Sequence, residues 1–138
     1  MEIMTRDFGM MDIDENNILK FTLPILGFEK YRDFVILYDG DIGDEIAWLQ
    51  SVDESDICFV IIEPTRFIPA YTPELPADML KKLDVSAEDA ALRCLMVVRN
   101  GIEDATINLK SPIMINPAKK LAGQVVLDED YPVRATLA

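Results

Sequence analysis

No histidine occurs among the 138 residues. That removes the commonest general base and the commonest metal ligand. Neither a Ser-His-Asp nor a Cys-His nucleophile can be assembled. Cysteine is scarce as well: Cys58 and Cys94 sit inside the apolar runs ICFVII and RCLMVV. Two distant cysteines without histidine do not suggest zinc, and buried free thiols are their expected state. The six glycines are spread along the chain, with neither GxGxxG nor GxxxxGK[ST] among them. No loop is rich enough in glycine to cradle a phosphate. Histidine-free enzymes exist, so absence alone excludes nothing, but no catalytic, cofactor or metal site is expected. No apolar stretch approaches the roughly 20 residues of a membrane helix. Acids interrupt the opening MEIMTRDFGMMDIDENN, so no signal peptide is expected. Basic residues number 13 against 25 acids, for a net charge of −12. Nucleic acids and anionic membranes are gripped by clustered Lys and Arg, so direct contact with either is not expected. A basic protein partner would be steered toward such a surface.

What is present is an ordinary globular composition, 50% apolar and 28% charged. The length suggests one domain over residues 1–138, with no repeat or linker. Short apolar runs rich in β-branched and aromatic residues alternate with turn signals. They predict strands at 2–5, 10–12, 18–21, 34–38, 48–51, 57–63, 92–99, 105–108, 113–116, 124–127 and 133–137. Asn100-Gly101 suggests a hairpin loop. One short helix is expected behind Pro76, running through Met79, Leu80 and Leu83. Ser86-Ala87-Glu88-Asp89 could open one more helical turn. Many short strands with one helix imply a mainly β fold: a small antiparallel barrel or a strongly curved sheet.

Carboxylates crowd the turns. The stretch DGDIGDE, with Asp39, Asp41, Asp44 and Glu45, lacks the full spacing of a calcium loop and reads as a solvated turn. Asp12, Asp14 and Glu15 form a second group, and Asp53, Glu54 and Asp56 a third. A carboxylate pair could in principle support acid–base chemistry. A small β-barrel enzyme or ligand carrier is therefore the alternative from another class; it requires a deep pocket with inward carboxylates.

Four segments, in order, carry a family resemblance. The first is FTLPILGFEKYRDFVIL (21–37), with Phe21, Gly27, Phe28 and Phe34; Thr22 and Pro24 depart from its usual Pro and Gly. The second is Trp48-Leu49-Gln50-Ser51, then Phe59-Val60, Glu63-Pro64 and Tyr71. The third is TINLKSPIMIN (106–116), containing Asn108, Leu109, Pro112, Ile115 and Asn116. The fourth is GQVVL (123–127) with Gln124, followed by Tyr131, Arg134 and Leu137. Together they resemble the FliW family of flagellar assembly factors over roughly residues 2–137. These motif positions have plain structural readings: asparagines shaping turns, isoleucines alternating into a core, Trp48 packed inside.

A cytoplasmic monomer is expected, and the resemblance implies a regulatory binding protein with two mutually exclusive partners. One is CsrA, a basic translational regulator that represses flagellin messenger RNA. The other is flagellin itself. FliW-like proteins relieve CsrA repression and so couple flagellin synthesis to export; a flagellin chaperone without a translational role is a further alternative. On charge density alone, Asp12, Asp14, Glu15, Asp53, Glu54 and Asp56 are the candidate partner contacts. Met10, Met11 and Met114 could form an adaptable apolar patch or fill the core.

Overall fold

A computed structural model describes residues 1–41, 43–98 and 104–136, Asp44 by its backbone alone. The chain forms β1 (Glu2–Thr5), β2 (Gly9–Asp12), β3 (Leu19–Leu23), β4 (Asp33–Asp39), β5 (Gly43–Ser51) and β6 (Cys58–Ile62). Then come α1 (Pro64–Phe67), α2 (Ala77–Lys82), β7 (Ala91–Val97), β8 (Thr106–Ile107), β9 (Ile113–Asn116), β10 (Leu121–Gln124) and β11 (Ala135–Thr136). Among the described residues β1 and β2 pair only with each other. The remaining strands run β11-β8-β7-β6-β5-β4-β3-β10-β9, and β7 also pairs with β9. That extra pairing closes seven strands, β3 to β7 with β9 and β10, into a barrel.

The barrel expectation holds, with corrections. Every ladder is antiparallel except β3 with β10, which is parallel. Two short α-helices occur among the described residues rather than one. Pro64 stands at the start of α1, where a missing N–H costs nothing. Ser86–Asp89 forms a turn, not a helix; the Asp89 amide donates to Ser86 Oγ at 3.3 Å. The last ladder strand before the C-terminal segment is Leu121–Gln124 rather than 124–127. The hairpin between β7 and β8 is present as a ladder, Met96 opposite Ile107, while Asn100-Gly101 lies outside the described residues. So does Leu137.

Strand alternation divides the apolar residues among three clusters. Phe34, Ala47, Leu49, Ile61, Ile113 and Ile115 point into the barrel, with Phe21 and Ile25. Their neighbours point outward. On the β6–β7–β9 wall Ile62, Cys94, Met96 and Met114 join Tyr71, Leu83, Val125 and Leu127 in a second core beneath the helices. On the β4–β5 wall Val35, Leu37 and Trp48 meet Ile3, Ile13 and Phe8 of the β1–β2 hairpin. These strands are therefore apolar on both faces, which explains their nearly unbroken runs. Each such fully buried side chain contributes roughly 1.5–3 kcal/mol.

Two glycines are dictated by geometry. Gly27 has φ +90° as the third residue of the turn in which the Phe28 amide donates to Ile25 O at 2.9 Å. That position of a type II turn requires positive φ. At Gly123 an added Cβ would lie 2.4 Å from Leu23 Cβ. The parallel β3–β10 seam, which shifts register between Ala122 and Gly123, closes only because this residue has no side chain.

Candidate functional site: two surfaces of opposite charge

The segment Trp48-Leu49-Gln50-Ser51 shapes the acidic turn that follows it. Gln50 is fully buried. Its amide donates to Ser51 O at 3.1 Å, Ser55 O at 3.1 Å and Ile57 O at 3.3 Å. Its Oε1 accepts from the Arg6 amide at 3.0 Å. Ser51 Oγ accepts from the Asp53 amide at 3.2 Å and the Glu54 amide at 3.1 Å. The turn is thus pinned from below. Asp53 and Asp56 are exposed and Glu54 half-buried. Among the described residues none of the three carboxylates has an ion-pair partner. The Arg6 guanidinium ties the hairpin to the same wall, donating to Cys58 O at 2.7 Å.

The other acidic group is built differently. Asp12 holds the Met1 ammonium at 2.9 Å, and that bond raises the ammonium pKa. Asp14 Oδ1 accepts from the Asn16 amide at 2.9 Å, capping the 3-10 turn that contains Glu15. Among the described residues no hydrogen bond or ion pair joins this group to the 53–56 turn. Asp39 Oδ1 accepts from the Asp41 amide at 3.0 Å in the β4–β5 turn.

The remaining motif residues lie at junctions. Phe21 meets Phe34 edge-on at 5.0 Å, and Phe28 meets Phe59 at 5.0 Å. Trp48 stacks edge-on against Phe8 at 5.2 Å beneath the hairpin. Asn108 Oδ1 accepts from the Ser111 amide at 3.0 Å. Leu109 O accepts from the Tyr71 hydroxyl at 2.8 Å, and Tyr131 packs on Tyr71 at 4.9 Å. Pro112 O accepts from the Val125 amide at 3.0 Å. Asn116 donates to Leu83 O at 2.9 Å and Asp84 O at 3.0 Å, and accepts from the amides of Ala118 and Lys119. Gln124 accepts from the Leu26 amide at 2.8 Å and donates to Ser111 O at 3.1 Å. Arg134 is exposed with no ion-pair partner among the described residues. The methionines do not converge: Met114 is fully buried in the second core, whereas Met10 is exposed opposite Met4 on the hairpin.

A second surface was not visible in the sequence. A groove of about 410 Å³ is lined by Leu19, Ile36, Tyr38, Ala91, Arg93, Ile115, Pro117, Lys120 and Asn17. It touches β3, β4, β7 and β9. Because β4 and β7 are not neighbours in the sheet, the groove lies across one mouth of the barrel. Its ionisable residues are Arg93, Lys120 and Tyr38. Among the described residues, the inward carboxylates that an acid–base site would need do not line it. Among the described residues no three His, Cys, Asp or Glu side chains converge on a metal-sized point. Both cysteines are buried free thiols. Burial pushes Cys94 up to about 12 and raises the Tyr71 phenol beside it, so neither serves as a nucleophile near neutral pH.

The model of the FliW protein family matches residues 2–137. The chain belongs to the FliW family. It is 41% identical to the flagellar assembly factor FliW of Syntrophus aciditrophicus, over 97% of this chain and 85% of that relative. It is 38% identical to the flagellar assembly factor FliW of Caldicellulosiruptor saccharolyticus, over 96% of this chain and 87% of that one. A crystal structure of the flagellar assembly factor FliW superposes with a TM-score of 0.91 at 33% identity, covering 99% of this chain and 96% of the other. FliW relatives are assembly factors, and this chain is not an enzyme. Among the described residues no helix is long and apolar enough to cross a membrane.

Proposed function

We propose that this chain is a cytoplasmic, monomeric flagellar assembly factor that binds CsrA and flagellin in alternation. Bound to CsrA, it relieves repression of flagellin translation; bound to flagellin, it releases CsrA. Family membership supports the reading, and so does the net charge of −12. The observation that carries it is the pinned turn at 53–56, three carboxylates held out by buried Gln50 and Ser51. An acidic, preorganised turn speeds encounter with a basic RNA-binding protein and repels RNA. Asp53, Glu54 and Asp56 are the stronger contact candidates. Asp12 and Asp14 are already engaged locally, leaving Glu15 as the freer member of that group.

The test is titration of CsrA with the wild-type chain and with Asp53→Lys/Glu54→Lys/Asp56→Lys, at low and high salt. The reading expects weaker binding and a shallower salt dependence for the variant. Equal affinity and an equal salt slope would remove the turn from the interface, and no complex with wild type would remove the function.

A further inference from the structure

The mouth groove is out of character with the rest of the chain. Acids outnumber bases 25 to 13, yet among the described residues the groove is lined by Arg93 and Lys120 and by no carboxylate. Among the described residues Arg93 makes a single bond, from Nη1 to Leu92 O at 2.8 Å, and most of its five N–H donors find no acceptor there. Lys119 pairs with Asp84; Lys120, one residue on, has no acceptor among the described residues. Lys120 also holds φ +57°, a left-handed conformation suited to Gly or Asn. Its carbonyl accepts from the Lys20 amide at 2.9 Å, a bond any residue type would provide. The backbone therefore does not explain a lysine there. Below the two cations the floor is apolar: Leu19, Ile36 and Ile115 reach the mouth from the barrel core.

We propose that this groove docks an acidic, apolar segment of the second partner, flagellin in the reading above, on which this inference rests. An apolar side chain covers Leu19, Ile36 and Ile115. A neighbouring carboxylate takes the free fork of Arg93, with Lys120 alongside. Charge complementarity selects the occupant: a basic partner is repelled here and attracted to the 53–56 turn. The two partners are thus sorted by surfaces of opposite sign.

The experiment measures binding of Arg93→Glu/Lys120→Glu to flagellin and to CsrA, with wild type in parallel. The expected result is a loss of about tenfold or more toward flagellin, with CsrA affinity held within about twofold. Equal flagellin binding by variant and wild type overturns the proposal. A second arm does not depend on flagellin. A synthetic peptide alternating leucine and glutamate is titrated into the wild-type chain, followed by amide NMR. Saturable shifts at Leu19, Arg93 and Lys120 that vanish with the glutamine analogue support the groove; shifts elsewhere, or equal shifts with both peptides, overturn it. Should wild type ignore flagellin while the peptide binds, the functional reading fails and the groove stands. A wild-type dimer dissolved by the same substitutions would show that a second copy fills the groove, and would overturn it too.

Discussion

The barrel and the β1–β2 hairpin are held by different means. The barrel is closed by continuous ladders and filled by a core that no strand can leave without opening the wall. Among the described residues the hairpin shares no ladder with it. Its attachments are a small cluster around Ile3, Ile13 and Trp48, two bonds from Arg6 and the Ile13–Met1 contact at its own base. One region is a single cooperative unit, and the other is a clip that can open locally at lower free energy.

The sharpest test of that difference is Gly123→Ala. The added Cβ collides with Leu23 at the parallel seam, and overpacking of this kind costs about 3 kcal/mol. Urea unfolding should show the whole loss in one transition; a separate early transition would break the contrast. Alkali should act on the second core next. Cys94 is raised from 9.0 to about 12 in the folded chain, so its contribution is intact below pH 9 and fades between pH 9 and 12. The loss is up to about 1.4 kcal/mol per pH unit, read as a fall in melting temperature that Cys94→Ala makes shallower, the rest belonging to Tyr71 and Cys58, which burial also raises. Gln50→Leu orphans the Arg6 amide and several turn carbonyls, costing about 2 kcal/mol, and should loosen both the 53–56 turn and the hairpin tip. Ile3→Ala should cost about 1–2 kcal/mol, confined to the clip. Hydrogen exchange should accelerate in β1 and β2 and stay unchanged in β5 and β6. Equal acceleration in both would mean that the two regions are one. Smallest is Asp53→Asn/Glu54→Gln/Asp56→Asn, within about 0.5 kcal/mol by melting, because these side chains are outside every packed cluster.

Strand existence was legible because alternation and β-branched content are local signals, and ten of the eleven strands lie on the segments expected. The exception is instructive. Val125, Val126 and Leu127 look more like a strand than Leu121-Ala122-Gly123-Gln124. The small residues are required where two parallel backbones close tightly, whereas Val125 and Leu127 bond instead to Pro112 and Lys110. Barrel closure was inferred from strand number, but its seams, β7 with β9 and β3 with β10, join residues far apart and leave no local mark. The helix α1 was missed because four residues are too few to show a period. At the surface, the acidic turn was visible as a cluster of carboxylates, and its support was quoted as a motif without its geometry being readable. The cationic groove was invisible: Arg93 and Lys120 are separated by 26 residues and meet only through the fold.

The parallel seam also bears on how the protein is made. β3 leaves the ribosome about 100 residues before β10, so at about 5–20 residues per second its outer backbone edge waits on the order of 5–20 s for a mate. During that interval the emerging polypeptide is an open, sticky ribbon. Any factor that engages nascent chains has its opportunity then, and a stop codon placed ahead of Leu121 should yield aggregates rather than a smaller folded product.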